Sequence, residues 1–297
     1  GTENVAVGSI SLDALTTGFY NTAVGHGSLG STTTASSNTA VGQGALASNT
    51  TAANNTAVGR SALLANTTSS ENTAVGYAAL TAQTTGTANT AIGWQAMKTN
   101  VHGDRNVAVG NEALEAYNPT SAGTDSYNVA VGFRALTANT TAGNNTAIGG
   151  LALTNNSTGT FNTALGFQAG RGISTGSQNI FVGGNSGTGG TITGSHNVGV
   201  GQNSMYSLTT GTSNTSIGGF AGSGHALASI TTGASNVAVG SGALYANTTA
   251  SNNTAVGKQA LHANTTGTQS TAVGTNAGNA VTTANQNTFI GCFSGEA

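Results

Sequence analysis

One unit of 17 residues recurs from one end of this chain to the other, and such a period leaves few folds open. The unit reads N-T-A-V-G-x-x-A-L-x-x-N-T-T-x-x-x. Its first residue falls at Asn4, Asn21, Asn38, Asn55, Asn72, Asn89, Asn106, Asn128, Asn145, Asn162, Asn179, Asn197, Asn214, Asn236, Asn253, Ser270 and Asn287. The spacing is 17 residues, apart from two intervals of 22 and one of 18. A fixed period carrying strand-forming residues is the signature of a stacked solenoid. Each repeat is one coil, and its apolar side chains are buried only with help from the coils beside it. The expected fold is all-β, a parallel β-solenoid or β-roll of seventeen coils. The unbroken period sets aside the two domains that 297 residues would otherwise suggest and predicts a single elongated domain over 1–297.

Positions within a coil are numbered here as phases, from the Asn at phase 1. Phase 2 is always Thr, Val or Ile, phase 4 is always Val, Ile or Leu, and phase 5 is always Gly. β-Branched residues favour the pleated backbone, so phases 2–4 read as a strand. The glycine after it permits a positive φ or a close backbone approach, either of which makes a corner. A second short strand is expected at phases 7–10, followed by a turn at N-T-T. No window holds a 3.6-residue periodicity, so helices are not expected. Stacking at about 4.8 Å per coil turns every phase into a ladder and makes a rod roughly 80 Å long. The Asn at phase 1 is then expected to hydrogen-bond along the axis, as amides do in cross-β stacks.

Charge is scarce, at 5% of residues with a net of −2, which gives no electrostatic footprint for nucleic acid or an anionic membrane surface. Charge also avoids both faces of the strand. A strand with one solvated face would alternate apolar and polar residues. One face is therefore expected to fill the coil and the other to meet a partner, namely another copy of the chain. No apolar run approaches the length of a membrane-spanning helix, and insertion is not expected. The sole cysteine, Cys292, excludes an internal disulfide. The chain starts without Met and without a signal peptide, which reads as a processed leader or a segment of a longer protein.

The stretches Asn38–Ala45 and Asn253–Ala260, and the tetrads at Val5–Gly8 and Val237–Gly240, resemble the S-V-A-I-G-x-x-S repeat of YadA-like trimeric autotransporter adhesin heads. Similar repeats occur in bacteriophage tail fibres. The resemblance runs over the whole chain. It implies a left-handed parallel β-roll, a trimer of parallel chains, and a place on the cell surface or virion. The units of those heads are shorter, and the extra residues here lie in the N-T-T turn.

Candidate contact residues stand out against the monotony. Phase 6 carries Tyr77, Trp94, Asn111 and Phe133 in successive coils, an aromatic strip that would stack on sugar rings, on a neighbouring rod or simply on itself. The first five-residue insertion is bracketed by Tyr117 and Tyr127, and the second lies between Gly222 and Ile230. Seven of the fourteen charged residues lie between 98 and 134, with Lys98 and Glu115 sharing phase 10, and Glu112 and Arg134 sharing phase 7. Exposed ion pairs are one reading of this cluster, and a contact patch is the other. Phe289, Cys292 and Phe293 make the last coil bulky, either to plug the core or to dock end to end. No polar cap is recognisable at either end, which suggests head-to-tail growth along open strand edges.

Sites for chemistry are not evident. The five histidines fall on different phases, so no stacked metal site is expected, and no P-loop, G-x-S-x-G or H-E-x-x-H motif occurs. Neither a cofactor nor an active site is predicted. Asn49, Asn66, Asn139, Asn247 and Asn264 each begin an N-T-T sequon, read either as glycan acceptors or as turn formers. The expected function is a non-enzymatic extracellular fibre or filament protein, such as an adhesin rod or tail-fibre segment. The alternatives are a glycan-binding adhesion module and, because phase 2 is Thr in eleven coils, an ice-binding surface.

Overall fold

A computed structural model describes residues 1–121, 123–219 and 224–296. The chain divides into two compact units, Gly1–Asn145 and Thr146–Ala297. Each is a parallel β-solenoid. The first carries eight three-residue strands at phases 2–4, from Val5–Val7 to Val129–Val131, and the second nine, from Thr146–Ile148 to Thr288–Ile290. Pairing is parallel and in register, so like phases face each other: Thr39 lies beside Thr56, Ala40 beside Ala57 and Val41 beside Val58. No helix occurs among the described residues.

The strand ends at phase 5 because only glycine fits there. Gly76 has φ +131°, and a Cβ on it would lie 2.4 Å from the carbonyl oxygen of Gly93 one coil on. Adjacent coils approach through glycine backbone at this corner.

The second strand expected at phases 7–10 is absent. That edge is a run of turns with left-handed residues at phases 7 and 9, as at Ser61 (φ 59°) and Leu63 (φ 52°). A third left-handed residue occupies phase 17, as at Glu71 (φ 66°). Left-handed φ costs a residue with a Cβ about 1–2 kcal/mol. Two features offset that cost. The Leu63 side chain is fully buried. The backbone of this edge is also bonded in both directions: the Ser61 N–H donates to the Gln43 carbonyl of the coil before, at 2.9 Å, and the Leu63 N–H to the Ala79 carbonyl of the coil after, at 3.0 Å. Turn closure within the coil adds bonds such as Ala62 N–H to the Gly59 carbonyl, at 3.3 Å.

The core is thin. Phase 3 points inward, mostly as fully buried alanine, and meets alanine at phase 8 and leucine at phase 9. Size is conserved across this contact. Where phase 3 is Phe181, phase 9 of the same coil is Gly187 and phase 3 of the next is Gly199; a Cβ on either would come within 2.8 Å of the ring.

The expected Asn ladder is present in both units. Along the ladder an Asn Oδ1 accepts the backbone N–H of the phase 1 residue one coil on, as from Asn55 to Asn38 (3.0 Å) and Asn253 to Asn236 (3.1 Å). Its Nδ2 donates to a phase 15 carbonyl, as from Asn55 to Ser69 at 3.0 Å. These amides are buried, so their hydrogen bonds are obligatory rather than optional.

A second amide set lines the core at phase 12, and it contains the sequon asparagines. Asn49, Asn66, Asn139, Asn247 and Asn264 are all fully buried. Asn66 Nδ2 donates to the Ser69 carbonyl at 3.0 Å and Asn139 Nδ2 to that of Ala142 at 2.9 Å. They act as turn formers with inward-facing side chains and offer no acceptor site on the folded chain. Secreted from a glycosylating host, the protease-resistant folded fraction is expected to carry no glycan at these asparagines. Mass spectrometry showing a glycan on Asn66 in that fraction would contradict this packing.

Candidate functional site

Strand geometry dictates what each coil shows to solvent. With phase 3 turned inward, phases 2 and 4 must point outward. Phase 4 therefore forms an external column of Val, Ile and Leu in each unit. Ile92 remains 39% and Leu165 47% exposed although both have neighbours above and below. Phase 2 runs beside it as half-buried or exposed Thr, Val and Ile, and no charged residue occurs at phases 2–4 in any coil. A contiguous apolar strip of this kind marks an interaction surface more often than scattered single apolar residues do. One sheet face thus fills the coil and the other lies bare, as the pattern of the strands implied.

The aromatic strip at phase 6 comes in two pieces. Arg60, Tyr77 and Trp94 occupy successive coils, with the guanidinium 5.8 Å from the tyrosine ring centre and the two rings stacked at 6.2 Å and 15°. Asn111 interrupts the next rung. Phe133 beyond it is exposed, with Arg134 against its ring at 5.9 Å. Arg134 also pairs with Glu112 at 2.9 Å, as their shared phase predicted. Lys98 and Glu115 form no ion pair among the described residues.

The first insertion builds a small parallel pairing of its own, Gly103–Asp104 with Thr124–Asp125. Tyr127 is exposed there, lying under Arg105, which pairs with Asp125. Tyr117 corrects an expectation. Taken from sequence as a contact residue, it is fully buried at phase 12, where its hydroxyl hydrogen-bonds to Ser126. Burial raises its pKa, with a smaller push from Asp104 and a counter-effect from the Ser126 bond. In the second insertion, residues 220–223, Gly222 among them, lie outside the described residues.

In the last coil, half-buried Phe289 packs between Gly278 and Gly295, on which a Cβ would come within 2.7 and 2.4 Å of its ring. Cys292 and Phe293 are exposed.

Three of the five histidines have structural partners: His102 meets the Thr85 hydroxyl at 2.8 Å, His225 the Asn203 amide at 3.1 Å and His262 the Gly242 carbonyl at 3.0 Å. No group of three or more metal-ligating side chains is assembled among the described residues. A groove of about 400 Å³ bordered by Asp13 and His26 arises where Gly27, Gly30 and Gly44 leave the corner without side chains. Reading phase 6 alone missed a second aromatic column, at phase 10, where Tyr245 and His262 stack at 5.1 Å and 9°. Tracing every phase for aromatic residues would have found it.

No protein-family model matches this chain, and no curated protein is significantly similar to it. Among the described residues no helix is long and apolar enough to cross a membrane.

Proposed function

We propose that this chain is a structural, non-enzymatic component of an extracellular fibre, assembling side by side with parallel copies of itself. The observation that supports the reading is the bare aliphatic column at phase 4, repeated in every coil and free of charge. Burial of apolar surface contributes about 25 cal/mol per Å². The gain multiplies with the number of coils, provided the partner presents the same period. A second copy of this chain, in parallel register, presents that period at every rung. The placement outside the cell and the trimeric count follow from the likeness of the N-T-A-V-G-x-x-A unit to adhesin heads and tail fibres.

The test is the oligomeric state. Light scattering on the full chain at micromolar concentration is expected to show a discrete oligomer. Val41→Asp, Val75→Asp and Val109→Asp combined are expected to give a monomer with an unchanged circular dichroism spectrum, because these side chains contribute nothing to the coil interior. A monomeric unsubstituted protein would overturn the reading.

A second reading, a glycan-binding adhesion module, is favoured by the half-exposed faces of the Tyr77–Trp94 stack. The two are compatible, since the stack lies at phase 6 and the aliphatic column at phase 4.

A further inference from the structure

The second unit holds an aromatic slot that neither reading uses. At phase 10 four successive coils present Tyr206, Ala228, Tyr245 and His262. Tyr245 lies flat on His262, so its opposite face looks toward the coil of Gly224 and Ala228, with Gly224 against one edge of the ring. The Ala228 rung carries only a methyl group. A groove of about 260 Å³ opens there, with Tyr206 and Tyr245 on its two sides. Two rungs separate the tyrosines by about 10 Å, so a ring lodged midway would sit about 5 Å from each, within stacking range.

Both rings are held before any ligand arrives. Tyr206 rests against Gly189 and Tyr245 against Gly224, where an added Cβ would come within 2.8 and 2.6 Å of the respective ring. His262 fixes the far face of Tyr245. The groove's other lining is polar and holds no carboxylate, lysine or arginine: Asn203, its amide hydrogen-bonded to His225, with Ser207 and Ser229.

We propose that this slot binds one ring of a neutral saccharide. A pyranose has apolar C–H faces and an equator of hydroxyl groups. The slot offers an aromatic side chain toward each face, and amide, imidazole and hydroxyl groups toward the equator. With no lysine or arginine in its lining, it offers no permanent cation to attract a phosphate or a uronic acid. Rigid aromatic platforms bind at low entropic cost, because little side-chain freedom remains to be lost. The slot lies within one chain and does not depend on self-association, so a monomeric protein retains it.

The experiment is calorimetry and ligand-observed NMR on the full chain, with neutral tetrasaccharides of glucose, galactose, mannose and N-acetylglucosamine. At least one is expected to bind at millimolar concentration or better. Tyr245→Ala is expected to weaken that binding about tenfold, the loss of one stacking face. Ala228→Tyr is expected to abolish it by filling the rung, while the fold is kept, since tyrosine already occupies phase 10 in the coils on either side. Trp94→Ala is expected to leave it unchanged. The proposal is overturned if no tetrasaccharide binds, if Ala228→Tyr binds as well as the unsubstituted chain, or if Trp94→Ala alone removes binding.

Discussion

Asn72→Ala is expected to cost about 3–5 kcal/mol of unfolding free energy, among the largest losses available to a single side chain here. The amide of Asn72 touches three coils. Its Nδ2 donates to the Ser69 hydroxyl at 2.9 Å, the Ser70 carbonyl at 3.0 Å and the Gly86 carbonyl at 3.2 Å. Its Oδ1 accepts the N–H of Asn89 at 3.0 Å. Alanine would remove all of these at once and leave the buried Asn89 N–H without a partner, at about 1–3 kcal/mol, besides the hydrogen bonds and packing lost around Ser69 and Gly86. Asn72→Ser should lose less. The chain itself contains that substitution: Ser270 occupies the ladder, receives the onward link as its N–H donates to Asn253 Oδ1 at 2.9 Å, and accepts from Asn287 N–H at 3.2 Å. The measurement is the urea midpoint together with hydrogen exchange at the Asn89 amide. An alanine variant whose Asn89 amide stays fully protected would show that the ladder is decoration.

Gly76→Ala is expected to be of comparable severity, about 3 kcal/mol or more. Its φ of +131° lies where residues with a Cβ are strained, and the new methyl would sit 2.4 Å from a backbone oxygen. That oxygen belongs to another coil's phase 5 glycine and has no flexible end to swing aside. The comparison is Gly150→Ala, one phase later in its coil, where the nearest atom to a Cβ is a Phe167 ring carbon at 3.6 Å. That change should fall within about 0.5 kcal/mol of the parent. Equal midpoints for the two variants in thermal unfolding would remove the close-approach account of the phase 5 corner.

Most of the coil was legible because a period turns weak local signals into repeated ones. A single Thr-Ala-Val says little. Seventeen triads of that type, each followed by glycine, specify the strand, its corner and a second face free of charge, and the Asn at phase 1 follows from stacking alone. Phases 7–10 were misread for a physical reason. Leucine at phase 9 has a poor intrinsic preference for the left-handed region, so sequence favours a strand. Inter-coil hydrogen bonds to both neighbours decide otherwise, and those are invisible until the coils are stacked. The phase 12 asparagines were ambiguous because Asn-Thr-Thr serves a turn equally well with its amide inside or outside. Tyr117 was placed on the surface because it borders an insertion. In fact it takes the phase 12 position, filling the space that an Asn amide holds one coil earlier at Asn100 and one coil later at Asn139, and it bonds through Ser126 instead. Of the exposed apolar surfaces, the bare sheet face was legible from the absence of charge, and the Tyr77–Trp94 stack from shared phase. The slot beside Ala228 was not, since it is defined by a side chain that is small rather than by one that stands out.

The size matching of Phe181 with Gly187 and Gly199 bears on how such a chain can change over time. A bulky interior residue is accommodated within its own turn and the next, so its influence fades after a single repeat. Whole turns are thus interchangeable parts. Duplicating or deleting one by unequal recombination lengthens or shortens the molecule while every remaining junction keeps its partners. A few residues added inside a turn are absorbed there, since strand pairing stays in register across the 22-residue intervals before Asn128 and Asn236 and the 18-residue interval before Asn197.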